Sequence, residues 1–283
     1  SLYENNNDFD KATQHYSKVL EQDPKYVDAL LARGRVQIKA GKPLDSLDDL
    51  NKAQSLATIQ GNKVEQAAIL HAIGVAYRSS NRAQDALENY KRSLDIKREL
   101  GDKRGIAVSL NESAQAHVML GQIPQAEANY KEALQIRQDI GDRRGYADTL
   151  MDMGNFYGDR GEQDKALQLY QQALTIQRNE LKNELAQASL LNNIGTSYFS
   201  KGQYEDALTN YTQALQMREK LKIPEDVAET VRNLAATNTK MGQFDEALKQ
   251  YLKALETWRS SGDTRDAAIA SYDMGTVFQY QGR

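Results

Sequence analysis

Three histidines, His15, His71 and His117, are the side chains in this 283-residue chain best suited to binding a metal or moving a proton. A zinc site takes three or four protein ligands, and no third ligand accompanies His71 and His117 at a suitable spacing. Cysteine is absent, which excludes disulfides, thiolate metal sites and a cysteine nucleophile together. No glycine-rich phosphate loop, nucleophile elbow or HExxH pair occurs. Carboxylates are abundant but fall mainly at helical positions that face water. These residue types point away from catalysis and from any bound cofactor or metal. Recognition chemistry remains, carried by short amide and carboxylate side chains that recur at one register.

The bulk properties narrow the classes further. Lys and Arg number 36 against 39 Asp and Glu, a net charge of -3. Nucleic-acid binding draws on a dominant positive field, so no nucleic-acid partner is expected. No apolar run approaches the roughly eighteen residues of a membrane-crossing helix, so no membrane insertion is expected. The opening Ser-Leu-Tyr-Glu-Asn-Asn-Asn-Asp has no basic stretch leading into an apolar core, hence no visible signal peptide. The cytoplasm is the default expectation for location. Only 4 prolines occur, and Ala, Leu, Gln, Glu and Lys are plentiful, which predicts helix nearly throughout.

The elements repeat. A small residue recurs at Gly34, Gly74, Ala114, Gly154, Gly195, Ala235 and Gly275, with spacings of 40, 40, 40, 41, 40 and 40. Seven positions after each comes a turn former: Gly41, Asn81, Gly121, Gly161, Gly202, Gly242 and Gly282. Further columns hold Ser46, Ala86, Ala126, Ala166, Ala207 and Ala247, then Leu50, Tyr90, Tyr130, Tyr170, Tyr211 and Tyr251. Mid-helix glycine costs roughly 1 kcal/mol relative to alanine, which is tolerable where a partner helix must come close. Within Phe244, Ala247, Leu248, Tyr251, Leu255 and Trp258 the spacing is helical. Each unit is therefore two amphipathic helices in antiparallel order.

These columns resemble the tetratricopeptide repeat, whose Trp/Leu, Gly, Tyr, Ala, Phe/Tyr, Ala and Pro recur over about 34 residues. Leu150, Gly154, Tyr157, Ala166, Tyr170 and Ala173 carry the likeness, and Pro24 matches the terminal proline. The longer step is similar to the 40-residue repeats of Pins-type polarity adaptors and bacterial signalling proteins. The linkers Leu100-Gly101-Asp102-Lys103-Arg104-Gly105 and Ile140-Gly141-Asp142-Arg143-Arg144-Gly145 resemble those of that subtype. Departures are few: Ser46, Gln54, His117 and Asn238. His117 replaces an aromatic residue, and a packed imidazole is expected there.

The resemblance implies an all-α fold, an α-solenoid forming a right-handed superhelix of antiparallel helix pairs, with about six full repeats and half repeats at both ends. One array is expected over 1–283: a partial repeat at 1–26, full repeats at 27–62, 63–102, 103–142, 143–182, 183–223 and 224–263, and a partial repeat at 264–283. Leu2-Tyr3 followed by Asn7, Ala12, Tyr16 and Pro24 reads as the last turn of a first helix plus a complete second helix, and Gly282 as a turn before another. Neither end carries a polar capping helix, so a fragment of a longer protein is expected.

In that architecture the first helices line a concave groove. Its candidate ligand-binding residues are Asn111, Glu112, Asp148, Asp152, Asn155, Asn192, Asn193, Arg232, Asn233 and Lys240. Stacked amides offer donors and acceptors to an extended peptide backbone. Glu112, Asp148, Asp152 and Asp159 make the middle acidic, whereas Arg232 and Lys240 turn the later part basic. Met151, Phe199, Tyr272 and Tyr280 are candidate apolar anchors. The family's carboxylate clamp needs a Lys/Asn/Arg set of which only scattered members occur. Asp102 and Asp142 are expected to cap helices, and Lys97, Arg98, Arg137, Arg178 and Arg218 to be solvated near helix C-termini. Trp258 is expected to pack on the following repeat.

The function implied is a non-catalytic scaffold that binds a protein or peptide partner. A sensory or regulatory region of a multidomain kinase, cyclase or transcription regulator is the rival reading. Self-association through uncapped ends is a third.

Overall fold

The computed structural model describes residues 8–281; Leu2, Tyr3, Asn7 and Gly282 lie outside them. Among the described residues fourteen α-helices follow one another: α1 (Phe9–Gln22), α2 (Val27–Lys39), α3 (Ser46–Ile59), α4 (Lys63–Ser79), α5 (Ala83–Leu100), α6 (Lys103–Met119) and α7 (Ile123–Asp139), then α8 (Arg143–Asp159), α9 (Gln163–Ile176), α10 (Glu184–Ser200), α11 (Tyr204–Leu221), α12 (Pro224–Lys240), α13 (Phe244–Ser261) and α14 (Thr264–Tyr280). No strand occurs among the described residues. The chain is all-α, a solenoid of consecutively packed helix pairs, and forms two compact units, 1–145 and 146–283.

Close approach within a pair explains the recurring small residue. A Cβ on Gly154 would lie 2.5 Å from Tyr170 Cε1, and one on Gly195 would lie 2.8 Å from Tyr211 Cδ1. The tyrosine column fills the space that the missing side chain leaves, so Tyr90, Tyr130, Tyr170, Tyr211 and Tyr251 are all buried. The small residue one turn earlier, Ser46 in α3 and alanine in the later second helices, is fully buried. The turn column adopts the left-handed backbone, with φ of +77° at Gly161 and 60° at Asn81, a conformation open to glycine and tolerated by asparagine.

Side-chain caps open several first helices. Asp102 Oδ1 accepts from Gly105 N at 2.9 Å, and Asn62, Asp142, Asn183 and Asp263 cap in the same way. The linker aspartates thus satisfy the orphan amides of a helix start.

One irregularity has a sequence cause. From Arg137 to Gln177 the step is 40, yet from the cap Asp142 to the cap Asn183 it is 41. The extra residue therefore enters between 177 and 183. A π-helical turn occupies Gln177–Leu181 and ends on Lys182 at φ 51°. A π turn is the usual way for a helix to absorb a single insertion.

Within each unit the first helices gather on one side. In unit 1, α2 meets α4 and α4 meets α6; in unit 2, α10 meets α12 and α12 meets α14. Among the described residues, no second helix makes comparable contact with the next. Long side chains bridge second helices instead, as in Arg98–Glu132 at 3.3 Å and Lys253–Glu219 at 3.4 Å. Helices that touch on one side and splay on the other place the touching set on the inner face of the unit.

The second-helix cations depart from expectation. Arg178 is exposed and Arg98 half-exposed, but Lys97, Arg137 and Arg218 are buried. They share a column with Ala57, Gln177 and Trp258, all buried. Burial is affordable because the following first helix meets them. Lys97 Nζ donates to Ser109 Oγ at 2.7 Å, Arg137 to the Gly145 carbonyl, and Arg218 to Thr230 Oγ1 at 2.6 Å. Trp258 packs against Ala267 and Ala270 of α14.

Candidate functional site

The inner face of unit 2 holds most of the predicted residues. Gly154 lets α8 and α9 approach closely, which brings Tyr170 Oη to within 2.7 Å of Asn155 Oδ1. The same oxygen accepts from Asn193 Nδ2 of α10 at 3.0 Å. Asn155 and Asn193 line a polar cavity of about 450 Å³ with Tyr170, Thr196, Ser200 and Asp159. Tyr211 Oη donates to Thr196 Oγ1 at 3.0 Å. Burial raises the Tyr170 phenol, and the carboxylates of Asp159 and Asp152 raise it further. Asp148 is exposed and Asp152 half-buried.

A second amide contact lies one helix further on. Asn233 Nδ2 of α12 donates to Asn192 Oδ1 at 3.2 Å, and Asn192 Nδ2 donates to Glu229 at 3.3 Å. Asn192 is buried and Asn233 half-buried. Arg232 pairs with Asp273 of α14 at 2.8 Å, which balances its charge within the face. Lys240 Nζ donates to Tyr280 Oη at 3.0 Å, a contact that raises the lysine pKa. Tyr272 and Tyr280 are exposed, whereas Met151 and Phe199 are half-buried.

In unit 1, Glu112 of α6 pairs with Arg78 of α4 at 2.8 Å and lies 3.5 Å from Tyr90 Oη. Asn111 is buried. His71 lies against the Tyr90 ring and shares Ser109 Oγ with Lys97 at 3.1 Å and 2.7 Å. Burial brings the His71 imidazole down to about 3, with Lys97, Arg35 and Arg78 adding to the effect. Burial likewise brings Lys97 down to about 8. His117 Nδ1 instead faces Gln122 Oε1 at 2.6 Å, a polar partner for the imidazole that was expected to pack.

One geometric rule unites these contacts. The residue two positions before the small column reaches back to the preceding first helix in four cases: Glu112 to Arg78, Asn193 to Asn155, Asn233 to Asn192, and Asp273 to Arg232. The amides thus bond to one another before any ligand arrives. Each amide still has donor or acceptor capacity left, since a carboxamide offers two of each. The sequence singled out these columns but gave no sign of which residue would meet which, because that depends on the offset between neighbouring helices.

Among the described residues, no group of three His, Cys, Asp or Glu side chains is placed to hold a metal ion. No helix is long and apolar enough to cross a membrane.

Comparison with known proteins follows the same line. A family model described as tetratricopeptide repeat matches residues 26–99, 105–179, 147–220, 186–259 and 226–283, and a second of the same description matches 1–26. The solved apo form of RapI is similar, with a TM-score of 0.72 at 13% identity over 90% of this chain and 72% of that one. NprR in complex with its cognate peptide NprX gives a TM-score of 0.63 at 17% identity, covering 97% and 81%. A signal transduction ATPase with numerous domains and a tetratricopeptide repeat sensor, from Pyrococcus horikoshii, gives 0.70 at 16% identity, covering 95% and 43%. No curated protein matches the sequence.

Proposed function

This chain belongs to the tetratricopeptide-repeat family, and we propose that it is a non-catalytic scaffold whose first helices hold an extended peptide segment of a partner protein. The observation that carries this reading is the polar cavity in unit 2, where Asn155 and Asn193 stand beside Tyr170, Thr196 and Ser200. Carboxamides and hydroxyls in a row can bond the backbone of a peptide whatever its side chains. Asp148, Asp152 and Asp159 favour a basic residue at this point of the ligand. Asn111, Glu112, Asn192, Arg232, Asn233 and Lys240 extend the proposed contact surface within their own units. The likeness to NprR bound to a peptide supports a peptide ligand. The 40-residue step supports a place among the long-repeat members of the family.

The test uses decapeptides selected from a random display library against the whole chain. Asn155→Ala/Asn193→Ala is expected to lower their affinity at least tenfold while the helical signal and melting temperature stay near the parent's. Full affinity in the folded double variant would remove the amide row from the proposal.

A second reading, a sensory region that regulates an attached domain, draws support from the repeat sensor of the Pyrococcus horikoshii ATPase, of which this chain spans 43%. It predicts the same ligand face and adds a dependent activity elsewhere in the full-length protein.

A further inference from the structure

Equivalent positions in two repeats differ in a way that points to a ligand. In unit 2 the buried guanidinium of Arg218 is met by Glu229 at 3.2 Å and Asp226 at 3.7 Å, both from the following first helix. Glu229 also accepts from Asn192, so its carboxylate bridges Arg218 and Asn192. In unit 1 the same columns hold Lys97 in place of Arg218 and His71 in place of Asn192. The two carboxylates are replaced by Val108 and Gly105.

Lys97 is buried and bonds Ser109 Oγ at 2.7 Å. Among the described residues no close ion pair joins its ammonium to a carboxylate, and the charge of Asp102 acts on it only from a distance. A buried cation is costly unless an anion meets it. Where the sister repeat has carboxylates, this one has a cavity of about 480 Å³ lined by Lys97, His71, Gly105, Val108 and Arg35. A Cβ at Gly105 would collide with the Asp102 carboxylate and come within 3.1 Å of Lys97 Cδ, so glycine leaves room for both side chains at this wall. Asp102 also lines the cavity; its Oδ1 accepts from Gly105 N, and its charge partly offsets the burial of Lys97 without pairing with it. Arg78 is engaged by Glu112. The lining includes two exposed apolar side chains, Val64 at 66% and Leu100 at 44%.

We infer that this cavity takes a carboxylate carried on an aliphatic body, with the carboxylate against Lys97 Nζ and beside His71, in the position that Glu229 fills in the sister repeat. The inference rests on the scaffold reading for the ligand being a peptide, whether it offers its C-terminus or an acidic side chain. The pocket itself is tested without a cognate partner.

The probes are acetyl-alanyl-leucine with a free C-terminus, the same dipeptide as its C-terminal amide, and acetyl-glutamate methylamide. Binding to the whole chain is followed through the His71 ring signals in NMR and through the melting temperature. At least one carboxylate probe is expected to bind tenfold or more tightly than the amide. A tighter free-terminus probe assigns the pocket to a peptide end, and a tighter glutamate probe assigns it to a side chain. Lys97→Met should abolish the response. Val108→Glu should abolish it as well while melting above the parent, because it supplies the carboxylate internally. Equal response to acid and amide, or a retained response in folded Lys97→Met, would overturn the inference. Asn155→Ala/Asn193→Ala should leave the response intact, so a failure of the amide row and a failure of this pocket are told apart.

Discussion

Lys97, Arg137 and Arg218 carry positive charge into the contact between a second helix and the next first helix. A cation in the last turn of a helix ordinarily serves the dipole from solvent, which is why the sequence suggested solvated side chains. A better signal was present twelve positions on. Lys97 is followed by Ser109, Arg137 by Thr149 and Arg218 by Thr230, whereas Ala57 is followed by Ile69 and Trp258 by Ala270. Lys97 and Arg218 each donate to that hydroxyl, whereas Thr149 Oγ1 is buried with no hydrogen-bond partner among the described residues. His71, beside Lys97, gives a prediction with a definite sign. Its folded pKa is brought down to about 3 by burial and by Lys97, Arg35 and Arg78. Below pH 6.5 the unfolded chain takes up a proton that the folded chain refuses, so stability is lost as pH falls. The expected slope is about 1.4 kcal/mol per pH unit. Urea unfolding at pH 7 and at pH 5.5 should show it in the parent and not in His71→Asn; parallel curves for the two proteins would mean that the imidazole is solvated.

Helix pairing was the most legible level, because close approach demands small residues and a turn demands left-handed backbone wherever the pair recurs. Gly154 faces Tyr170 at van der Waals limits, whereas a Cβ on Gly275 would meet nothing within 4 Å. Alanine should therefore act with opposite sign at the two positions. Gly275→Ala is expected to stabilise by up to about 1 kcal/mol through helix propensity. Gly154→Ala gains the same term but overpacks against the ring, which costs about 1–3 kcal/mol. Thermal melts that moved the same way would place the close contact elsewhere. The π turn allows a sharper test of how length is absorbed. Deleting Glu180 should let Gln177–Leu181 return to α-helical form at a cost within about 1 kcal/mol. Deleting Asp95 from α5 should cost several times more, because it rotates the rest of the apolar stripe by about 100°. The irregularity was readable in the column spacings, but its π geometry was not, since an insertion can equally lengthen a loop. The inner-face contacts were legible as columns and not as partners: Asn155 meets Asn193 only because neighbouring first helices are offset.

Across the whole molecule, stability runs through a buried tyrosine in successive pairs. Burial raises Tyr90 and Tyr170 and pushes Tyr211 and Tyr251 up to about 12. Above pH 10 the unfolded chain ionises these phenols and the folded chain does not, so stability falls with rising pH. Each tyrosine contributes up to about 1.4 kcal/mol per pH unit. Phenolate absorbance should therefore rise together with loss of helix, and Tyr211→Phe/Tyr251→Phe should move that transition to higher pH. Ionisation of these phenols in a chain that stays helical would contradict the buried ladder. The proposed function rests on a different surface, the first-helix face that each unit presents. It is tested most directly by photo-crosslinking a display-selected decapeptide, with benzoylphenylalanine placed in turn at each of its positions. The account predicts adducts on α4 and α6 within unit 1, or on α10, α12 and the Asn155 turn of α8 within unit 2. Adducts concentrated on α5, α7, α11 and α13 would contradict it, because they would put the ligand on the second helices.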